Sequence, residues 1–122
     1  MATKIETALQ ELSEVDGFLS ANLVDAESGM SMGHSGNTDP EIDSVVSSKF
    51  YAAIEFGIDT LKLNDGVEDN LLTLGKTYHI VRPIEGNKKI FIHLALDRNK
   101  ANLAMSRHAL KSFVNQFSKG FK

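Results

Sequence analysis

Cysteine and tryptophan are absent from this chain of 122 residues, and proline occurs only twice. Without cysteine the protein has no disulfide, no thiol nucleophile, no cysteine zinc site and no iron–sulfur cluster. No apolar run approaches the roughly 18 residues of a membrane span, and the first residues lack the apolar stretch of a signal peptide. The sequence therefore predicts a cytoplasmic protein without membrane insertion.

The chain does contain enough apolar material for one core. Hydrophobic residues make up 42% of the sequence, and a chain of this size buries roughly two-thirds of its unfolded surface. No repeat, linker or low-complexity segment divides the sequence. Residues 1–122 are therefore expected to form a single domain.

Charge is distributed unevenly along the chain. Residues 1–70 hold 14 acidic and 3 basic side chains, whereas residues 71–122 hold 2 acidic and 10 basic ones. Either the basic half meets an anionic partner or, as we favour, the two halves fold against each other. A nucleic-acid binder typically has a strongly basic total with interleaved aromatic residues, so no nucleic-acid partner is expected.

Hydrophobic periodicity predicts the element order. The elements are a helix ending near Asp16-Gly17, a strand over 18–24, a short strand with Met30 and Met32, a loop from Gly33 to Thr38, a helix from Asp39-Pro40 to Asn64-Asp65-Gly66, strands over 67–74, 76–84 and 88–96, and a helix from Asn99. In the last strand Ile92 and Leu94 point one way while Phe91 and Ala95 point the other, so this strand is expected at the centre of the sheet. The pattern predicts an α+β (α/β) sandwich, with helices on both faces of a five-stranded antiparallel sheet.

The long helix has more apolar surface than one sheet covers. Its polar side chains fill an arc of only about 60° on a helical wheel; they are Ser44, Ser48, Glu55, Asp59 and Lys62. The excess predicts a cover from the same chain or, as we favour, a partner chain. A glycine inside a helix, such as Gly57, costs about 1 kcal/mol of stability relative to alanine. Its presence would be explained either by close approach of a second backbone or by a simple kink.

One motif superficially indicates nucleotide binding. Gly75-Lys76-Thr77 resembles the end of a phosphate-binding loop, but Asn70 stands where the leading glycine belongs. A strand follows the motif, whereas a phosphate cradle needs a helix N-terminus there. The segment is therefore predicted to be a hairpin turn.

Patterns typical of catalysis or metal binding are weak. The four histidines lack metal-ligand spacing, and His79 and His93 are interpreted as strand residues that could lie on adjacent strands. The carboxylates of Asp39, Glu41 and Asp43 are interpreted as negative charge at a helix N-terminus. No enzymatic activity, cofactor or metal is expected.

Four segments, taken with the element order, resemble the roadblock family, which is named for a dynein light chain and has many small bacterial members. These segments are Val15-Asp16-Gly17-Phe18, Asp25 to Gly29, Thr77-Tyr78-His79-Ile80 and Ala101-Asn102-Leu103-Ala104. The resemblance covers essentially the whole chain and implies a profilin/longin-like fold. It also implies a homodimer in which the second helices pack together and the following edge strands pair into one ten-stranded sheet. The interface residues implied in this way are Phe50, Ile54, Gly57, Ile58, Leu61, Leu71, Leu72, Thr73 and Leu74.

The resemblance further implies a non-enzymatic interaction module, a scaffold or regulator for a small Ras-like GTPase or a larger protein assembly. A basic flank of the last helix, formed by Lys100, Arg107, Lys111 and Lys122, would dock an acidic partner surface or simply be solvated. The alternative function is a small-molecule sensor with a pocket between sheet and helices, in which Gly33 to Thr38 would be the lid.

Overall fold

The structure is a computed structural model that describes residues 4–117. Its elements are α1 (Lys4–Leu12), β1 (Phe18–Asp25), β2 (Met30–Gly36), α2 (Pro40–Thr60), β3 (Asn70–Thr73), β4 (Thr77–Ile84), β5 (Asn87–Asp97) and α3 (Leu103–Asn115). The strands form one antiparallel sheet in the order β2-β1-β5-β4-β3. The predicted architecture is confirmed, and so is the central position of β5.

Each face of the sheet carries its own core. On one face α1 and α3 pack over the larger cluster, which includes Ile92 and Leu94 of β5. On the other face Tyr51 of α2 packs with Phe91 of β5, the ring centroids lying 4.9 Å apart. The tyrosine hydroxyl donates to the Lys88 carbonyl oxygen over 2.8 Å, which fixes the height of α2 above the sheet.

Two helix ends come earlier than the sequence predicts. α1 ends at Leu12, not near Asp16-Gly17, because Ser13 Oγ donates to the Gln10 carbonyl and the next amides form tight three-residue turns. α2 ends at Thr60, well before Asn64-Asp65-Gly66. Lys62 adopts a left-handed φ of 54°, and the Leu63 amide donates back to the Ile58 carbonyl over 3.1 Å, which is the Schellman geometry that closes a helix.

The predicted loop over Gly33 to Thr38 is wrong for Gly33 to Gly36, because β2 continues to Gly36, and only Asn37 and Thr38 lie outside the strand. Its glycines mark close backbone approaches instead of a flexible turn. A Cβ on Gly33 would lie 2.9 Å from Ile5 of α1, and one on Gly36, where φ is +99°, would collide with the Leu19 carbonyl. The proposed lid of a ligand pocket is therefore part of the sheet.

Two further boundaries differ from the prediction. β3 covers only Asn70–Thr73. The segment between α2 and β3 is irregular, and Asp69 at its end accepts hydrogen bonds from Arg107 of α3. α3 begins at Leu103 and not at Asn99, since the Asn102 side chain accepts from the Met105 amide and caps the helix. Gly75 and Lys76 connect β3 to β4, which confirms the predicted hairpin turn.

The uneven charge distribution is resolved within the fold. Within residues 4–117, ion pairs join carboxylates of the acidic half to basic side chains of the other half: Arg82 and Arg107 pair with Asp69, Lys89 with Glu27, and His93 with Asp43. This agrees with the favoured interpretation that the two halves fold against each other.

Candidate interaction surface

The candidate surface begins with the orientation of α2. Ser44 and Ser47 face the sheet and are almost fully buried, although Ser44 belongs to the polar arc of the sequence. Both hydroxyls donate to carbonyl oxygens of the same helix, over 3.0 and 2.7 Å, so their burial leaves no unpaired donor. These small side chains let α2 lie close to the sheet and turn its apolar residues away from it.

The outward side of α2 consequently exposes several apolar side chains, with the exposed Lys49 among them. Ile42 is 66% exposed, Val46 63% and Phe56 70%, and Val45 lies beside them. The four residues fall within about 100° of the helix circumference and extend over roughly 20 Å of its length. An exposed apolar surface of this extent is typical of an interaction site.

One flank of α2 faces the half of the sheet formed by β4 and β3. The direction is set by Asp43, which bonds His93 of β5, while Ser48 on the opposite flank lies toward Gly29 and the β1–β2 turn. Phe50, Ile54, Gly57 and Leu61 lie within about 40° of Asp43 on the helical wheel, and Ile58 turns more toward the sheet. The structure therefore brings most of the implied helix contacts to one flank.

The strand residues of the implied interface lie beyond that flank. Leu72 on β3 and Leu74 just after it are 39% and 45% exposed, and Leu71 packs against the larger core. A Cβ on Gly57 would meet no atom of the described chain within 4 Å. Packing within the described chain thus gives no reason for a glycine at this position.

β3 is also an edge strand. The Leu74 amide donates to the Thr77 carbonyl, and Leu72 is paired with His79. Since an antiparallel ladder alternates, the backbone N–H and C=O groups of Leu71 and Thr73 point away from β4. An edge of this kind is a template for pairing with another strand.

A hydrogen-bonded chain of polar side chains crosses the sheet face beneath α2. Asp43 accepts from Asn22 Nδ2 and from His93 Nδ1, both over 2.9 Å. His93 Nε2 lies 2.9 Å from His79 Nδ1, and His79 Nε2 lies 3.1 Å from Thr77 Oγ1. The two histidines lie on adjacent strands, as predicted, but their connection to Asp43 is a finding of the structure.

Among these hydrogen-bonded side chains, electrostatics favour an ionised Asp43 and a neutral His79. Burial by itself would raise the pKa of Asp43, but the hydrogen bond and charge of His93 and the amide of Asn22 outweigh it and lower the pKa. Burial and the neighbouring His93 lower the pKa of His79, against the opposing effect of Asp43. Among residues 4–117, no group of three ligating side chains is arranged to hold a metal ion.

The predicted basic flank is only partly assembled. Arg107 donates two hydrogen bonds to Asp69, over 3.1 and 3.2 Å, and shares a groove with Lys111 and Arg82. Lys100 precedes α3 and is not on the helix, and Lys122 lies outside the described residues. Docking of a partner at Arg107 and Lys111 stays a prediction.

Within residues 4–117, no helix combines the length and apolar character needed to cross a membrane. The sensor alternative is not supported, because the segment it needs as a lid is strand β2.

Comparison with known proteins identifies the fold. No protein-family profile matches the chain, and no curated protein matches it in sequence. Among solved structures, a Roadblock/LC7 domain from Streptomyces avermitilis superposes with a TM-score of 0.80 at 14% identity, over 90% of this chain and 91% of that one. Myxococcus xanthus MglB gives 0.83 at 19% identity, over 96% and 94%. An MglB described as having a tetrameric arrangement gives 0.79 at 15% identity, over 95% and 86%. The chain therefore has the fold of a Roadblock/LC7 domain, as the sequence resemblance implied.

Proposed function

We propose that the protein is a non-enzymatic homodimeric module that binds a partner protein. The observation that carries the proposal is the combination of the α2 flank formed by Phe50, Ile54 and Leu61 with the free β3 edge beyond it. The α2 flank or the β3 edge alone could be explained in several ways. A dimer with its twofold axis at β3 would bury both of them. The strands pair, and each α2 flank meets its counterpart above the joined sheet.

The dimer would bury the residues that the monomer leaves partly exposed. Pairing at Leu71 and Thr73 satisfies their outward N–H and C=O groups, and the second α2 covers Leu72. The open space at Gly57 lets the two helix backbones approach closely. The MglB structure described as a tetrameric arrangement supports self-association of this fold.

Dimer formation is tested at the outward amide of Thr73. Thr73→Pro removes a backbone N–H that does not bond within the monomer's sheet. Thr73→Val also removes the side-chain hydroxyl but keeps this N–H, so it is the matched control. In light scattering, we expect dimer mass for the wild type and Thr73→Val and monomer mass for Thr73→Pro. A wild-type monomer, or a Thr73→Pro dimer as tight as the wild type, would contradict this interface.

The helix contact has an independent test. Ile54→Glu places a charge, and Gly57→Leu places bulk, between the two proposed α2 flanks. In the monomer a Cβ at Gly57 would meet no atom within 4 Å, and Ile54 is only half-buried. Sedimentation should therefore show dissociation with an unchanged far-UV circular dichroism spectrum. If both variants retain dimer mass, α2 does not form the interface.

The outward face of α2 remains for the partner protein. It contains Ile42, Val45, Val46 and Phe56 and lies opposite the sheet, so the dimer would present two copies side by side. Lys49 lies within this face, and Glu41 and Asp59 border it. A complementary partner would therefore place an acidic group opposite Lys49 and basic groups at the rim of its apolar patch. We infer a small Ras-like GTPase as the partner class, on the sequence resemblance.

Capture by the wild type, with and without GTP, tests this partner class. Phe56→Ser removes the most exposed apolar side chain of the face, and Met105→Ser removes a similarly exposed one on α3 as a matched control. A GTPase identified with the wild type and Met105→Ser but lost with Phe56→Ser would support the proposal. Capture of a GTPase at equal yield by Phe56→Ser would show that this face is not the docking site, and capture of none would contradict the partner class.

A further inference from the structure

In the polar chain beneath α2, the donor and the acceptor of each hydrogen bond follow from the charge of Asp43. An ionised carboxylate can only accept hydrogen bonds, so His93 Nδ1 must donate to Asp43. With both rings neutral, His93 Nε2 then accepts from His79 Nδ1, and His79 Nε2 accepts from the Thr77 hydroxyl. The direction of every bond is fixed by Asp43.

The same chain also accommodates one added proton. When His93 is protonated, its Nε2 donates to His79 Nδ1 and its Nδ1 still donates to Asp43. His79 then carries its hydrogen on Nε2 and donates to the Thr77 oxygen, which a hydroxyl can accept. Every bond of the chain is conserved, with the positive charge next to the carboxylate.

A second proton does not fit. If both rings are protonated, two N–H groups face each other across the 2.9 Å between His79 Nδ1 and His93 Nε2. One ring must leave, and it is His79, because His79 is half-buried whereas the His93 side chain is only 9% exposed and is held by Asp43. His79 would turn toward Leu72, its partner on β3.

The surroundings offer little to offset the second charge. The groups around the pair are Asp43 from α2, Asn22 from β1, the exposed His34 opposite Asn22 on β2, Leu72 from β3, Thr77 from β4, and Asp97 opposite Thr77 on β5. Asp43 already faces the first added proton through His93, and its attraction for a charged His79 is outweighed by the burial and the His93 charge that lower the pKa of His79.

We propose that Asp43, His93, His79 and Thr77 form a proton-operated clasp, which stays closed while at most one of the two rings is positively charged. The closed clasp fastens the start of α2 to the sheet, and a second proton turns a charged His79 onto the face used by the dimer and weakens it. The effect on assembly rests on the proposed dimer, whereas the clasp itself belongs to the single chain.

Imidazole nitrogen NMR of the wild-type full chain tests the clasp directly. We expect both rings of the pair to carry their proton on Nδ1 at about pH 8. On acidification we expect two separate steps, with the His79–His93 nitrogen coupling retained through the first and lost in the second. Protonation of the two rings independently of each other, or an Nε2–H tautomer of His93 at high pH, would overturn the clasp.

The dimer dissociation constant measured against pH tests the consequence. A dimer that takes up two protons on dissociation weakens by up to about a hundredfold per pH unit below the second step. We expect this slope for the wild type and His34→Gln, and its loss in His79→Gln, which cannot be charged. A wild-type slope that survives in His79→Gln would overturn the regulatory role. A wild type that is monomeric at every pH would refute the dimer, and the NMR result would still decide the clasp.

Discussion

Replacement of Asp43 by alanine probes how strongly the polar chain holds α2 to the sheet. The substitution leaves His93 Nδ1 and one N–H of Asn22 Nδ2 without the carboxylate that they contact over 2.9 Å, while Asn22 Nδ2 keeps its bond to the Pro40 carbonyl over 3.1 Å. Each unsatisfied buried N–H costs about 1–3 kcal/mol, so we expect the free energy of unfolding to fall by about 2–6 kcal/mol. The side chains of Asn22 and His93 are too enclosed for water to replace the acceptor freely.

Glu41→Ala is the matched control, because Glu41 lies in the same first turn and is exposed. Both changes remove a negative charge from the helix N-terminus and gain similar helix propensity, effects of about 0.5 kcal/mol with opposite signs. Urea unfolding at neutral pH and a fixed protein concentration measures both variants against the wild type. An Asp43→Ala loss no greater than the Glu41→Ala loss would refute the reasoning that this carboxylate is a structural acceptor.

Three further predictions concern stability. The unfolding free energy should decrease as the pH falls below the ordinary histidine value of about 6.5, because the lowered pKa of His79 makes the unfolded chain bind more protons; thermal melts of His79→Gln should show a smaller decrease, and an equal one would contradict the assignment. Gly36→Ala should unpair β2 from β1 and speed amide exchange there, since its Cβ meets the Leu19 carbonyl at a φ of +99°, whereas Gly75→Ala should be nearly neutral because its Cβ meets nothing; equal exchange rates would show that β2 tolerates the strain. Phe91→Ala should cost about 3–5 kcal/mol in urea unfolding, since Phe91 is fully buried against Tyr51, and a cost below about 1 kcal/mol would mean that the second core is loosely packed.

Where the sequence predicted structure correctly, the signal was local or periodic. Asp39 followed by Pro40 predicted the start of α2, and the Asp39 side chain does accept from the Glu41 and Ile42 amides. The two-sided apolar pattern around Phe91 predicted that β5 is central. Predicted boundaries were wrong where a residue type occurs in two kinds of structure. The glycines of β2 were interpreted as loop residues, whereas they lie in a strand and permit close packing.

The candidate site was only half predictable. The excess of apolar residues on α2 could be counted from the sequence, but the side that faces the sheet could not. Ser44 is polar by type and buried in the fold, because its hydroxyl is satisfied within its own helix. Hydrophobic periodicity alone assigns such a serine to the solvent.

By itself, the sequence determined the element order, the two-faced sheet and the surplus of apolar surface on one helix, because these follow from residue type and spacing along the chain. Only the tertiary structure decided that α2 turns Ile42 and Phe56 outward and that Asp43 meets His93, a residue 50 positions away. Hydrogen bonds across such a separation depend on how the helix crosses the strands, and no local pattern encodes that crossing. The same packing placed His79 where its charge state bears on the proposed interface.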